Sequence, residues 1–72
     1  MTASINFRVV RGVTDDSTGI VGITMNAEGQ DNDRFVNNPA DATITFSVDS
    51  AETQAATFKQ GAIIRATFTE AT

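Results

Sequence analysis

Thr43-Ile44-Thr45-Phe46-Ser47-Val48 is the clearest strand in the sequence, and its reading sets the fold class. Ile44, Phe46 and Val48 alternate with Thr43, Thr45 and Ser47, so one face is apolar and the other carries hydroxyls. A period of two belongs to an extended chain with one side on a core and the other in water. The same alternation recurs upstream. In Ile5-Asn6-Phe7-Arg8-Val9-Val10 the residues Ile5, Phe7 and Val9 share a face. In Ile20-Val21-Gly22-Ile23-Thr24-Met25 the sharing residues are Val21, Ile23 and Met25, and Gly22 reads as a bulge or a close backbone approach. Gly12 and the polar run Thr14-Asp15-Asp16-Ser17-Thr18-Gly19 between them read as a turn. Asp and Ser there bond to nearby backbone and Gly supplies positive φ. The two segments are expected to pair as an antiparallel hairpin.

Downstream of Val48, Asp49 or Ser50 caps a short helix near residues 50–58. Asp49 and Glu52 have capping-box spacing, with Asp in place of Ser or Thr. Ala51, Ala55 and Phe58 form one narrow apolar stripe, and Gly61 suits the left-handed position after the helix. The last strand, from Ala62 to Thr69, directs Ile64, Ala66 and Phe68 inward and Ile63, Arg65 and Thr67 outward. Asn26 to Asp41 has no such periodicity. It holds Glu28, Asp31, Asp33 and Asp41 among amide side chains, with Arg34, and its only large apolar residues are Phe35 and Val36. Pro39 keeps Asn38 extended near its end. The expectation is one mostly all-β domain over residues 1–72. It is a small antiparallel β-barrel or sandwich with one short helix before the last strand and a long polar loop at about 26–42.

Composition narrows the function. The 72 residues hold 5 Lys+Arg against 9 Asp+Glu, a net charge of −4, and no Cys, His, Trp or Tyr. Without Cys and His the chain has no zinc finger, thiol nucleophile, histidine base or disulfide framework. A phosphate-backbone binder needs a basic stripe that this charge balance does not supply. No run of 18 apolar residues marks a membrane span. Met1-Thr2-Ala3-Ser4 lacks the basic start and apolar run of a secretory signal. A chain of this size buries only about 60% of its unfolded surface. Either the fold is very regular, or neighbouring subunits add stability.

Each candidate site has a plainer competitor. Asp31-Asn32-Asp33 resembles the start of a calcium loop, but Val36 and Ala42 stand where Gly and Glu are required. A looser site from Glu28, Asp31 and Asp33 competes with an ordinary solvated loop, which is the reading adopted; no metal or cofactor is assigned. Asp15 and Asp16 point apart as turn neighbours and do not make an acid–base pair. Gly19-Ile20-Val21-Gly22 lacks the Lys-Ser/Thr pair and the helix of a phosphate loop. The chain is therefore read as non-enzymatic. Arg8 and Arg65 occupy outward positions on the first and last strands, and either dock an acidic partner or pair locally. Local pairing is favoured, since surface Arg usually does no more. Single-strand nucleic acid binding wants aromatics beside such cations, whereas every Phe but Phe35 sits at an expected core position. Phe35 and Val36 either fold back as a lid over the core or project, with Arg34, as an anchor into a partner.

Taken together, Phe7-Arg8, Asp31-Asn32 followed by Phe35, Pro39, the strand Ile44–Val48, Ala55 leading to Phe58-Lys59-x-Gly61, and the ending Phe68-Thr69-Glu70-Ala71 form a pattern. The chain resembles a set of very short proteins encoded among the virion genes of tailed bacteriophages. Members of that set more often carry an aromatic where this chain has Ile63-Ile64, and a Cys where it has Val9. The resemblance implies a virion component of the capsid decoration (cement) type. Its implied partner is the major capsid protein or another virion protein, with a homo-oligomer on the shell as a further possibility. The alternatives are a small adaptor or regulatory protein-binding module and, less favoured, a single-stranded nucleic acid binder.

Overall fold

In a computed structural model the described residues are 1–28 and 42–71. Four strands, β1 (Thr2–Arg11), β2 (Ile20–Ala27), β3 (Thr43–Asp49) and β4 (Ile63–Thr69), form one sheet in the order β3-β2-β1-β4. All pairings are antiparallel, and the sheet curls into a half-barrel. A short 3-10 helix, Thr53–Phe58, precedes β4. Three consecutive strands lie side by side and the fourth returns to flank the first, which is Greek-key order.

The alternation in the sequence is the alternation in the sheet. Ile5, Phe7, Val9, Ile23 and Met25, from the two central strands, are buried. Ile44, Phe46, Val48, Ile64 and Ala66, from the two outer strands, pack against them and are only partly covered. Central strands have neighbours on both sides, whereas outer strands depend on whatever crosses their inner face. That cover comes from the connection between β3 and β4. Ala55 is buried, and the Phe58 ring meets Phe46 edge-on at 5.0 Å, a favoured aromatic geometry. Phe68 was expected in the core. It stands on the inner side of β4 but opposite Ala3 near the end of the sheet, and is 48% exposed.

Three local expectations change. The register irregularity lies in β1, between Val9 and Arg11, and not at Gly22, which pairs regularly with Ser47. Gly12 has no positive φ; a Cβ there would lie 2.3 Å from the Phe58 carbonyl oxygen and 2.5 Å from Val9 Cγ1. Its role is close approach of two backbones. The capping box is absent: Glu52 takes the N-cap position without a side-chain bond, while Asp49 Oδ1 accepts from the Ala51 amide at 3.0 Å. A 3-10 helix has three residues per turn, so Ala55 and Phe58 fall on one side and Ala51, lying before the helix, stays exposed. Gly61, at φ 90, has the left-handed backbone expected of it, as does Gly19 at φ 70.

The connection is tied to β1 by backbone hydrogen bonds. Val13 N donates to Phe58 O at 2.9 Å and Gln60 N to Val13 O at 3.0 Å. Gly61 N donates to Val9 O at 2.8 Å, and Val9 N to Ala62 O at 2.9 Å. Gly12→Ala therefore forces the 58–60 segment away from β1 and should destabilise the chain by about 2 kcal/mol or more, read by urea unfolding. Phe7→Ala empties a fully buried position and should lower stability by about 3–5 kcal/mol, with Phe46→Ala, at a partly covered one, below it. Equal midpoints for the two Phe variants would contradict this layering of the core.

Candidate partner-binding surface

The outer face of the sheet is a ladder of short polar side chains held by neighbouring strands. Ser4 and Thr67, cross-strand partners on β1 and β4, bring their hydroxyls within 3.0 Å. Thr43 Oγ1 donates to Asn26 Oδ1 at 3.1 Å across β3 and β2. Arg8 and Arg65 share this face, as their outward positions predict. Arg65 faces Asn6 in the register and donates to its Oδ1 at 3.3 Å; Arg8 faces Ile63 two residues further along β1. Arg8 also meets the Glu28 carboxylate at 2.7 Å and the Gly61 carbonyl at 3.4 Å. Local pairing thus accounts for Arg8. Glu28, read from the sequence as a loop carboxylate, belongs instead to the end of the sheet, where its amide donates to Asn6 O at 2.9 Å. Arg34, Phe35 and Val36 lie outside the described residues, as does most of the polar segment expected at 26–42.

The turn between β1 and β2 behaves as its residues suggest. Ser17 Oγ accepts from the Thr14 amide at 2.9 Å, and Ser17 N donates to Thr14 O at 3.1 Å. Thr14 Oγ1 donates to Asp16 Oδ1. Asp15 instead reaches toward Lys59 at 3.4 Å, with both side chains largely in water. The two adjacent carboxylates therefore serve different partners. Among the described residues, no group of three or more carboxylates stands close enough to hold a metal ion. No helix among them is long and apolar enough to cross a membrane.

Sequence reasoning missed two features. The first is the exposure of Ile20, 71% at the start of β2; Ile63, read as outward on β4, is 50% exposed as that parity predicts. The second is a shallow pocket of about 250 Å³ between the end of β3 and the 3-10 helix. Val48, Ala55 and Phe58 line it together with Asp49, Glu52 and Gln54. No known protein family matches the sequence, and no curated protein or solved structure matches it either.

The Thr14 hydroxyl, with the backbone amide of Asp16 itself, holds the Asp16 carboxyl below the ordinary carboxylate value of 3.8. A depressed value in the folded state means that the ionised turn contributes stability above the unfolded value and loses it as pH falls through the folded one. Thr14→Val should move the Asp16 titration midpoint back up toward 3.8, followed by carboxyl carbon NMR. An unchanged midpoint would show that the hydroxyl does not hold the carboxylate.

Proposed function

We propose that this chain is a non-enzymatic structural virion protein, a capsid decoration or cement protein that binds the major capsid protein lattice at the capsid surface. The observation that carries the reading is the strand order. β3 and β4 are both outer strands, and neither has a further neighbour among the described residues. Open strand edges are templates for added strands, and main-chain hydrogen bonding to a neighbour supplies affinity without a specialised pocket. A small domain with partly covered outer strands gains stability when such a neighbour binds the folded state alone. The absence of Cys and His from the sequence agrees with a binding role over a chemical one. So does the resemblance to small proteins of tailed phages.

In this role the exposed edges of the sheet and the Arg34-Phe35-Val36 segment form the contact. Phe35 is the apolar anchor, Val36 extends it, and Arg34 pairs with a carboxylate at the rim. Arg8 and Arg65, outward on β1 and β4, are the further contact residues in this reading. The test mixes shells stripped of the protein with wild type, Phe35→Ala and Thr18→Ala chains, each first shown to be folded. Truncating a central anchor weakens binding by about 2 kcal/mol, roughly thirtyfold per site. Thr18, an exposed turn residue, should leave occupancy unchanged. Equal occupancy by the Phe35 variant would remove the anchor role, and failure of the wild type to bind any shell would overturn the virion reading.

A further inference from the structure

We infer that the outer edge of β3, which has no strand neighbour but β2 among the described residues, together with the pocket beside its C-terminal end, is a docking site for an extended segment that carries an Arg or Lys side chain. The inference deepens the proposed role, and rests on it only in taking the partner to be another protein. It starts from the outer edge of β3 as the described residues leave it. Thr43-Ile44-Thr45-Phe46-Ser47-Val48 is a β-prone run with no charge and no proline, and β2 is its only strand neighbour among the described residues. Exposed edges normally carry a charge, a proline or a bulge that blocks further pairing. Here the first charge is Asp49, at the end of the strand.

A strand added along this edge places the residue opposite Val48 on the same face as Val48, because cross-strand partners point the same way. That face holds the pocket. Its lining of Val48, Ala55 and Phe58 accepts an aliphatic stem, and Asp49 and Glu52, which also border it, give it an acidic rim that attracts a cationic head. An apolar stem with a cationic head is the chemistry of Arg and Lys. The chain itself carries net charge −4, so an external basic segment is electrostatically a better occupant than a second copy. The other open edge, on β4, has no comparable pocket among those described, and its outward charge is Arg65.

The test uses the full chain labelled with nitrogen-15, titrated with the capped peptide Thr-Val-Thr-Arg-Thr-Val-Thr. A second peptide carries Glu in place of Arg. The Arg peptide should shift the amides of β3 and of Glu52, Gln54 and Ala55, and bind about tenfold more tightly than the Glu peptide. Added salt should narrow that difference. Asp49→Asn with Glu52→Gln, which keeps an oxygen for the Ala51 amide, should bring the two peptides to similar affinity. Equal binding of both peptides to the wild type would overturn the inference. So would shifts confined to β4. Concentration-dependent shifts at the same amides without peptide would assign the site to a second copy, against the inference. The titration needs no shell, so peptide binding without shell binding would overturn only the virion role. Shell binding with no peptide binding would overturn only this site.

Discussion

The close approach of the β3–β4 connection to the end of β1 organises the rest of the molecule. Phe58 O sits so near Gly12 that no side chain fits between them, and the Val13 amide closes on that oxygen at 2.9 Å. Three residues later the connection enters register with β1 through the Gly61 amide and the Ala62 carbonyl, both bonded to Val9. The extra residue in β1 between Val9 and Arg11 belongs to the same junction. A bulge turns the strand locally and increases its twist, which frees the end of β1 to serve β2 on one side and the returning chain on the other. Once the return is fixed there, β4 has no place but beside β1.

The half-barrel follows from that placement. β4 adds to the β1 side of the sheet while β3 remains at the far side, so the first and last strands pair and the sheet keeps two outer edges. The crossing segment then covers the inner face where Phe58 meets Phe46 and Ala55 is buried, but not as far as Phe68. Burial is therefore graded from the central pair outward. The same residues that complete the core also mark the side from which it is incompletely covered.

The strands were legible in the sequence because period-two alternation is a local signal that tertiary contacts did not override. Ile44, Phe46 and Val48 face inward as read, as do Ile5, Phe7 and Val9. The outward positions of Arg8 and Arg65 follow from the same parity. What the sequence did not reveal depends on contacts between distant segments. Gly12 looks like any turn glycine until Phe58 is brought against it, and the bulge in β1 is compensated by residues nearly fifty positions away. The helix was placed correctly but with the wrong pitch. Ala51, Ala55 and Phe58 fit an α-helical stripe on paper, whereas the segment tightens to three residues per turn and keeps only the last two of them inward. The pocket was hidden for a related reason: its walls come from β3 and from the helix, and their distance is set by the Phe46–Phe58 contact rather than by either segment alone.

Charge is distributed along this framework in a way that links stability to recognition. On the β1–β4 side Arg8 meets Glu28 and Arg65 donates to Asn6. At the end of β3, Asp49 makes its described bond to a backbone amide and Glu52 takes the N-cap position without a side-chain bond of its own. The Asp49 bond fixes the Ala51 amide just before the 3-10 turn and reaches none of the amides within it. Both acids stand at the end of β3, whose outer edge has no strand neighbour among the described residues and whose inner side chains are partly covered. A segment bound at that edge would bring a second row of backbone partners and further apolar cover to Ile44, Phe46 and Val48. Binding and folding would then draw on one set of contacts, and a strand that is only partly covered in the isolated chain would gain from a partner.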